Sequence, residues 1–425
     1  MTILLSFIGT GRLYDTVYLL GGQEFHTPII QEALCRYYKP EKVILFVTKG
    51  ARSANLPKIR SVLSSFVVSE VDIPDGKCEE EIWEIFSIVT KSVSEKDTIL
   101  FDITHGFRSL PFISLLSIAY LKEIRSISLS GVVYGAFEAG ERIKTDSGVE
   151  ISRAPVFDLT GFVSIFDWMA GVRSFLHHAD AGLLNEQVKR ISDEEFCKTQ
   201  NRSGTKPLLN LLGPLSTYAE AVRLSRPVEA VSVASLIYDR FPQATEAIES
   251  YTPVLNPLLS KISDIGNFAV SESDVLTSEL IQKQRNLIQV QLDMGLYQQA
   301  VTLGREWMVT VLLHAAGSGR EWLLKNTRFA AENALTGAEK LLSRQNNKEQ
   351  SDNFHQNSRF LEWFCTCDSW KEMVGIWSRT SQLRNELAHC GMNSDSQKVQ
   401  TLLKQVKNFP ESMDRYYTLI MEYSK

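Results

Sequence analysis

The sequence has no CxxC pair, no HExxH and no His/Asp/Glu/Cys cluster at ligand spacing, so no metal site is expected. Its six cysteines (Cys35, Cys78, Cys197, Cys365, Cys367 and Cys390) are scattered and suggest no disulfide framework, which points to a reducing cytoplasm. No run approaches the roughly 18 apolar residues of a membrane span, so no membrane partner is expected. The apolar start, Met1 to Gly9, has no basic stretch before it and reads as a buried strand rather than a signal peptide. Positive charge is short as well: 45 Lys and Arg against 50 Asp and Glu leave a formal net charge of -5, which excludes coating of nucleic acid by bulk charge. A small cleft with a few placed cations is still compatible with a ribonuclease.

What the chain does have is apolar material. With 425 residues and 44% hydrophobic content it can build two or three domains with real cores. Up to about residue 135, short β-branched runs alternate with helical stretches. Strands are expected at Ile3 to Ile8, Thr16 to Leu20, Lys42 to Thr48, Phe66 to Ile73, Asp97 to Ile103 and Ser126 to Tyr134. Helices are expected near Thr27 to Tyr38, Asn55 to Ser65, Glu79 to Ser94 and Leu110 to Glu123. This alternation predicts a mostly parallel, doubly wound sheet, whose ligands bind at the loops leaving the C-terminal strand ends.

After Asp158 the strand-like runs stop and amphipathic helical segments continue to the end. Breaks are expected at Gly204, Gly213-Pro214, Pro227, Pro242, Pro253 and Pro257. The aromatic stretch Phe162 to Leu176 reads as a connector helix packed between the two parts, and the polar stretch Ser343 to Ser358 as a loop.

The densest chemistry runs from Phe101 to Pro111, FDITHGFRSLP, at a strand-to-helix junction. Such junctions offer free backbone N–H groups and a positive helix end to an anion. Thr104 and His105 add side-chain hydrogen bonds, Gly106 permits close backbone approach, and Arg108 can pair with a phosphate. Pro111 fits only the first helical turn and so fixes where the helix begins. Two more loops, Gly9-Thr10-Gly11-Arg12 and Thr48-Lys49-Gly50-Ala51-Arg52, should emerge on the same sheet edge and complete a phosphate-lined pocket. The GxGxxG dinucleotide fingerprint is broken by Tyr14.

Near the C-terminus, Ser381 to Gly391 holds Arg384 and His389 in an Arg-x4-His spacing, which also occurs at Arg173 and His178. On a helix, Leu383 and Leu387 form an apolar stripe, with Arg384, Asn385, Ala388 and His389 on the other side. Asn385 lies one turn before His389 and can orient its ring, and an imidazole there can act as an acid near neutral pH. Arg173 and His178 lie in the aromatic connector, where a structural role is expected.

The string Asp102-x-Thr104-His105-Gly106, with Gly9-Thr10-Gly11 after the first strand, resembles the DxTHG group of CARF-HEPN proteins from type III CRISPR systems. The form Arg384-Asn385-x3-His389 resembles the HEPN ribonuclease signature, and Gly295 to Trp307 resembles the first long helix of that domain. The resemblance implies an α/β Rossmann-like CARF sensor at 1–160, a helical connector and insertion at 161–275, and an all-α HEPN domain at 276–425. It also implies that Gly9, Thr10, Thr48, Thr104, His105, Gly106 and Arg108 face a cyclic oligoadenylate bound across the two-fold axis of a homodimer or higher homo-oligomer. No cofactor is expected beyond this allosteric activator. The implied activity is a metal-independent cut of single-stranded RNA: His389 moves protons, Asn385 supports it, and Arg384 stabilises the phosphorane; Glu306 reads first as an ordinary surface carboxylate and second as a helper that positions Arg384. A non-cleaving regulator, and a sensor that cuts its own ligand through Thr104 or His105, are the alternative readings.

Overall fold

The structure is a computed structural model that describes residues 1–106, 109–144, 150–251, 255–269, 275–347, 359–392 and 394–424. The chain divides into two compact units, Met1–Phe166 and Asp167–Lys425.

The first unit is built on a nine-stranded sheet. Its strands are β1 (Thr2–Ile8), β2 (Thr16–Leu20), β3 (Gln23–His26), β4 (Lys42–Val47), β5 (Val68–Asp72), β6 (Thr98–Asp102), β7 (Ser128–Gly135), β8 (Glu141–Lys144) and β9 (Glu150–Asp158). They lie in the order β3-β2-β9-β7-β6-β1-β4-β5, with β8 paired to β9. Helices α1 (Ile30–Tyr38), α2 (Lys49–Ala54), α3 (Leu56–Val62), α4 (Glu79–Lys91) and α5 (Leu110–Arg125) provide the cover. β1 and β4 read as nearly unbroken apolar runs because both of their faces are covered. Ile30 and Leu34 of α1 with Leu56 and Ile59 of α3 pack into one core, and Ile85, Val89, Ile113 and Leu121 of α4 and α5 into the other.

The sheet is mostly parallel as expected, but three of its pairings are antiparallel: β2 with β3, β7 with β9, and β8 with β9. The sequence reading missed β3, β8 and β9. β3 buries only Phe25, and β9 carries Pro155 and no clean alternation, so neither has the period-two signal of an independent strand. Each forms because a neighbouring strand presents a free edge. The direction of winding reverses between β1 and β6: the chain moves outward through β4 and β5, then resumes on the other side with β6 and β7. That reversal opens a crevice beyond the C-terminal ends of β1 and β6.

Helix α6 (Thr160–His178) contains the expected connector and runs through the division between the units. The helices after it are α7 (Gly182–Thr199), α8 (Lys206–Arg223), α9 (Pro227–Tyr251), α10 (Asn256–Ser263), α11 (Ser278–Asp293), α12 (Tyr297–Ala315), α13 (Lys325–Asn347), α14 (Arg359–Cys365), α15 (Trp370–Ala388) and α16 (Val399–Met421). No strand occurs among the described residues of the second unit. α12 lies among α11, α13, α15 and α16, with Trp307 and Met308 fully inside.

Two of the expected breaks are not breaks. Pro214 lies inside α8 and Pro242 inside α9. An interior proline costs a helix about 3 kcal/mol, but α8 and α9 bury long apolar faces along each other, including Leu211, Leu215 and Val222 against Val231, Ala234 and Ile237, and that burial outweighs local propensity. Pro227 opens α9 and Pro257 lies in the first turn of α10, as expected. Pro253 lies outside the described residues. α13 continues through Asn347, so the first five residues of the stretch expected to be a loop are helical; 348–358 lie outside the described residues.

Candidate functional site

Asp102 ends β6 fully buried, and both of its oxygens are engaged. Oδ2 accepts from Ser6 Oγ at 2.6 Å, and Oδ1 accepts from the Thr104 backbone N–H at 2.9 Å. Ser6 Oγ in turn accepts from Gln31 Nε2 at 2.9 Å. A buried carboxylate persists only when paired in this way. Here the pairing ties β1, β6 and α1 together and turns the chain outward at Thr104. The Thr104 hydroxyl oxygen accepts from the Gly135 N–H at 2.8 Å, which joins the turn to β7. Gly106 has φ +142°, and a Cβ there would stand 2.3 Å from Leu110 Cδ1. Only glycine fits that position. Pro111 falls in the first turn of α5, as expected.

The loop after β1 is held by a residue that no motif flagged. Asn55 Nδ2 donates to the carbonyls of Gly9 and Gly11, each at 2.8 Å. A Cβ at Gly9 would lie 3.5 Å from His105 Cβ, so the two loops are in contact. Thr48 is buried and caps α2, its Oγ accepting from the Ala51 N–H at 3.2 Å.

The third expected loop is therefore a helix N-terminus from Lys49 onward. Its Arg52 is not a free cation: Nη2 lies 2.6 Å from Asp72 Oδ1 and Nη1 lies 3.0 Å from Glu70 Oε2. Arg108 lies outside the described residues.

Two clefts, of about 260 and 320 Å³, flank His105 and share Ile8, Gly9, Gly11, Thr104 and His105 as walls. Thr10, Thr48 and Gly106 line the second. Six of the seven expected ligand-facing positions are thus gathered at the crevice where the winding reverses. The first cleft is also lined by Arg12, from the expected loop after β1, and by residues that the sequence reading did not assign to the site, among them Tyr14, Asn55, Phe137 and Glu138. Tyr14 and Phe137 stack with ring centroids 5.5 Å apart, and the Arg12 guanidinium lies 5.4 Å from the Tyr14 ring. The Tyr134 hydroxyl donates to Glu138, and that bond, with some burial, pushes the phenol up to about 12. Tyr18, also on the wall, is pushed to about 12 by burial and then by the Asp102 charge. The cleft thus offers aromatic faces, backbone groups, one cation and one carboxylate, a donor set suited to a nucleotide.

Arg384 and Asn385 lie in the last turns of α15, and His389 is its C-terminal cap residue, with φ -83° and ψ 1°. Leu383 is buried and Leu387 half-buried; Asn385, Ala388 and His389 are exposed, and Arg384 is half-buried. The link between Asn385 and His389 is through the backbone, the His389 N–H donating to the Asn385 carbonyl at 2.8 Å. Cys390 and Gly391, both at positive φ, then reverse the chain. Glu306 on α12 is engaged with two arginines other than Arg384. Its carboxylate pairs with Arg328 of α13 at 2.9 Å and with Arg305, its neighbour on α12, at 3.4 Å. Arg173 and His178 both lie on α6. Among the described residues no group of three or more His, Cys, Asp or Glu side chains could hold a metal ion, and no helix is long and apolar enough to cross a membrane.

A switch-point crevice and a THG turn on a Rossmann-like α/β unit, followed by a helical region, define the architecture of the chain. Residues 3–138 match the family described as CRISPR system endoribonuclease Csx1, CARF domain. The CRISPR-associated protein MJ1674 of Methanocaldococcus jannaschii is 23% identical over 221 residues, or 49% of this chain and 32% of that protein. The chain therefore matches about a third of the length of that curated relative. A solved structure, Enterococcus italicus Csm6 bound to cyclic hexa-2'-fluoro-hexa-dAMP, aligns over 100% of this chain and 95% of its own with 12% identity and a TM-score of 0.35.

Proposed function

We propose that the protein is an endoribonuclease of CRISPR antiviral defence, switched on by a cyclic oligoadenylate bound at the clefts around His105. The observation that carries the reading is the convergence of Gly9, Thr10, Thr48, Thr104, His105 and Gly106 on one crevice, within a segment that matches the CARF domain of an endoribonuclease family. Backbone N–H groups at the THG turn receive phosphates, and Tyr14 and Phe137 offer faces to bases. Arg108, which follows the Thr104-His105-Gly106 turn in sequence, adds a cation.

The helical region carries the cutting site, in a HEPN-type domain at 276–425 joined to the sensor (1–160) through the connector and insertion at 161–275. The RNA 2'-hydroxyl attacks its own phosphate, His389 transfers the protons, Asn385 supports the histidine, and Arg384 stabilises the charge that builds on the phosphate oxygens. The nucleophile belongs to the substrate, so the reaction draws on no metal and leaves 2',3'-cyclic phosphate ends. One chain supplies one Arg384/His389 pair, and a homodimer in the cytoplasm brings two together.

The test is to incubate the purified full chain with labelled single-stranded RNA and EDTA, with and without cyclic oligoadenylates of several ring sizes. Cleavage that appears only with one ring size, with cyclic phosphate ends, is the expected result. Products with 3'-hydroxyl ends, or cleavage indifferent to every cyclic oligoadenylate, would overturn it.

A further inference from the structure

Asn55 stands at the junction of α2 and α3, and its backbone is fixed from both sides: its N–H donates to the Ala51 carbonyl at 3.0 Å, and its carbonyl accepts from the Ile59 N–H at 3.1 Å. Its side chain is fixed as well. Nδ2 donates to the Gly9 and Gly11 carbonyls, each at 2.8 Å, which uses both hydrogens that the carboxamide has to give. Those two carbonyls also settle which way the amide is turned, because an oxygen in that place would meet only acceptors.

What remains is Oδ1. It has no partner among the described residues and is not shut away from solvent, and Asn55 lines the first cleft together with Gly9, Gly11, Tyr14 and Phe137. The one group that Asn55 has left for a ligand is therefore an acceptor, and its direction is set before any ligand arrives.

A cyclic oligoadenylate brings few donors to meet it. The 3'- and 5'-oxygens are spent in phosphodiesters and the phosphates only accept, so each nucleotide keeps two donor groups, the ribose 2'-hydroxyl and the adenine amino group. The Gly9–Gly11 loop held by Asn55 is in contact with His105 at the phosphate end of the crevice, whereas Tyr14 and Phe137, with the Glu138 carboxylate next in sequence, form the end that suits a base. A ribose joins phosphate to base and so falls between the two.

We infer that Asn55 Oδ1 accepts a hydrogen bond from a ribose 2'-hydroxyl of the activator, which makes Asn55 the specificity-determining residue that tells a ribonucleotide ring from a deoxyribonucleotide ring. The inference rests on the clefts being the cyclic oligoadenylate site.

The test is isothermal titration of the full chain with cyclic tetra- and hexaadenylate and with their 2'-deoxy counterparts, for the wild type, Asn55→Ala and His105→Ala. The wild type should bind the ribo ring about tenfold more tightly than the deoxy ring, the scale of one neutral hydrogen bond. Asn55→Ala also releases the Gly9–Gly11 loop and should weaken both rings, but its preference for the ribo ring should collapse. His105→Ala should weaken both rings and keep the preference. A deoxy ring differs in sugar pucker too, yet that difference is common to the wild type and Asn55→Ala, so the change in preference reads the bond alone.

Equal binding of the two rings by the wild type, or a preference that Asn55→Ala retains, overturns the role of Asn55 and leaves the sensor reading standing. Binding of neither ring by the wild type removes the sensor reading and this role together.

Discussion

Gly9 lies against His105, close enough that a methyl group on Gly9 would stand 3.5 Å from the His105 Cβ. That distance is ordinary contact, so the position accepts alanine and little more, and a larger side chain must push His105 or fill the clefts on either side of it.

Gly9→Ala should therefore bind a cyclic oligoadenylate like the wild type, whereas Gly9→Leu should weaken binding about tenfold, the scale of overpacking a filled site. His105→Ala should weaken it as well. In all three the fully activated cleavage rate should change much less than the activator concentration needed. Isothermal titration and an RNA cleavage assay read the two quantities, and an unchanged affinity in Gly9→Leu would remove the clefts as the sensor site.

Gly106→Ala meets both a positive φ and Leu110. Strain of this kind costs about 1–3 kcal/mol. The melting temperature of the variant should fall, and Leu110→Ala combined with it should recover part of the loss by removing the clash. A chemical denaturation series of the two single variants and the double variant measures that coupling.

Arg12 and Arg52 both follow strands that end at the crevice, yet their surroundings differ. Arg52 is held by Asp72 and Glu70, while Arg12 lies beside the Tyr14 ring on the cleft wall. Arg12→Ala should raise the dissociation constant for the activator, and Arg52→Ala should leave it nearly unchanged. Equal losses in the two variants would mean that the Arg52 carboxylate pairs open on binding.

His389→Ala and Arg384→Ala should each lower RNA cleavage by about a hundredfold or more, the scale of losing general acid–base or charge-stabilising help. Activator affinity should remain intact in both. His178→Ala should cleave normally. Full activity in His389→Ala would end the assignment of α15 as the cutting helix.

Tyr18 and Tyr38 are both pushed up to about 12, chiefly by burial and then by the nearby charges of Asp102 and Asp158. An unfolded tyrosine ionises near pH 10. The folded state binds these protons more tightly, so the stability tied to the neutral phenols is whole below about pH 10 and is lost as pH rises toward 12. Denaturant midpoints measured from pH 9 to 11.5 should fall, and Tyr18→Phe should fall less steeply than the wild type. Parallel curves for the two proteins would show that the Tyr18 phenol is not buried.

Much of this arrangement was legible in the chain itself. Runs such as Ile3 to Ile8 and Val43 to Val47 are apolar at nearly every position, which only a strand covered on both faces tolerates, and the helical period after Asp158 is equally plain. The strand-to-helix turn at Thr104 to Pro111 was also readable, because proline and glycine fix local geometry wherever they occur. Only the tertiary structure decided the rest. β3 and β9 lack a period of their own and form because β2 and β7 offer them edges; Pro214 and Pro242 stay helical because α8 and α9 bury each other. Asn55 and Phe137 carry no motif, and Asn55 reaches Gly9 and Gly11 across more than forty residues. Local preference is written residue by residue, but which polar groups meet depends on how whole elements pack, and that energy is shared among side chains far apart in the chain.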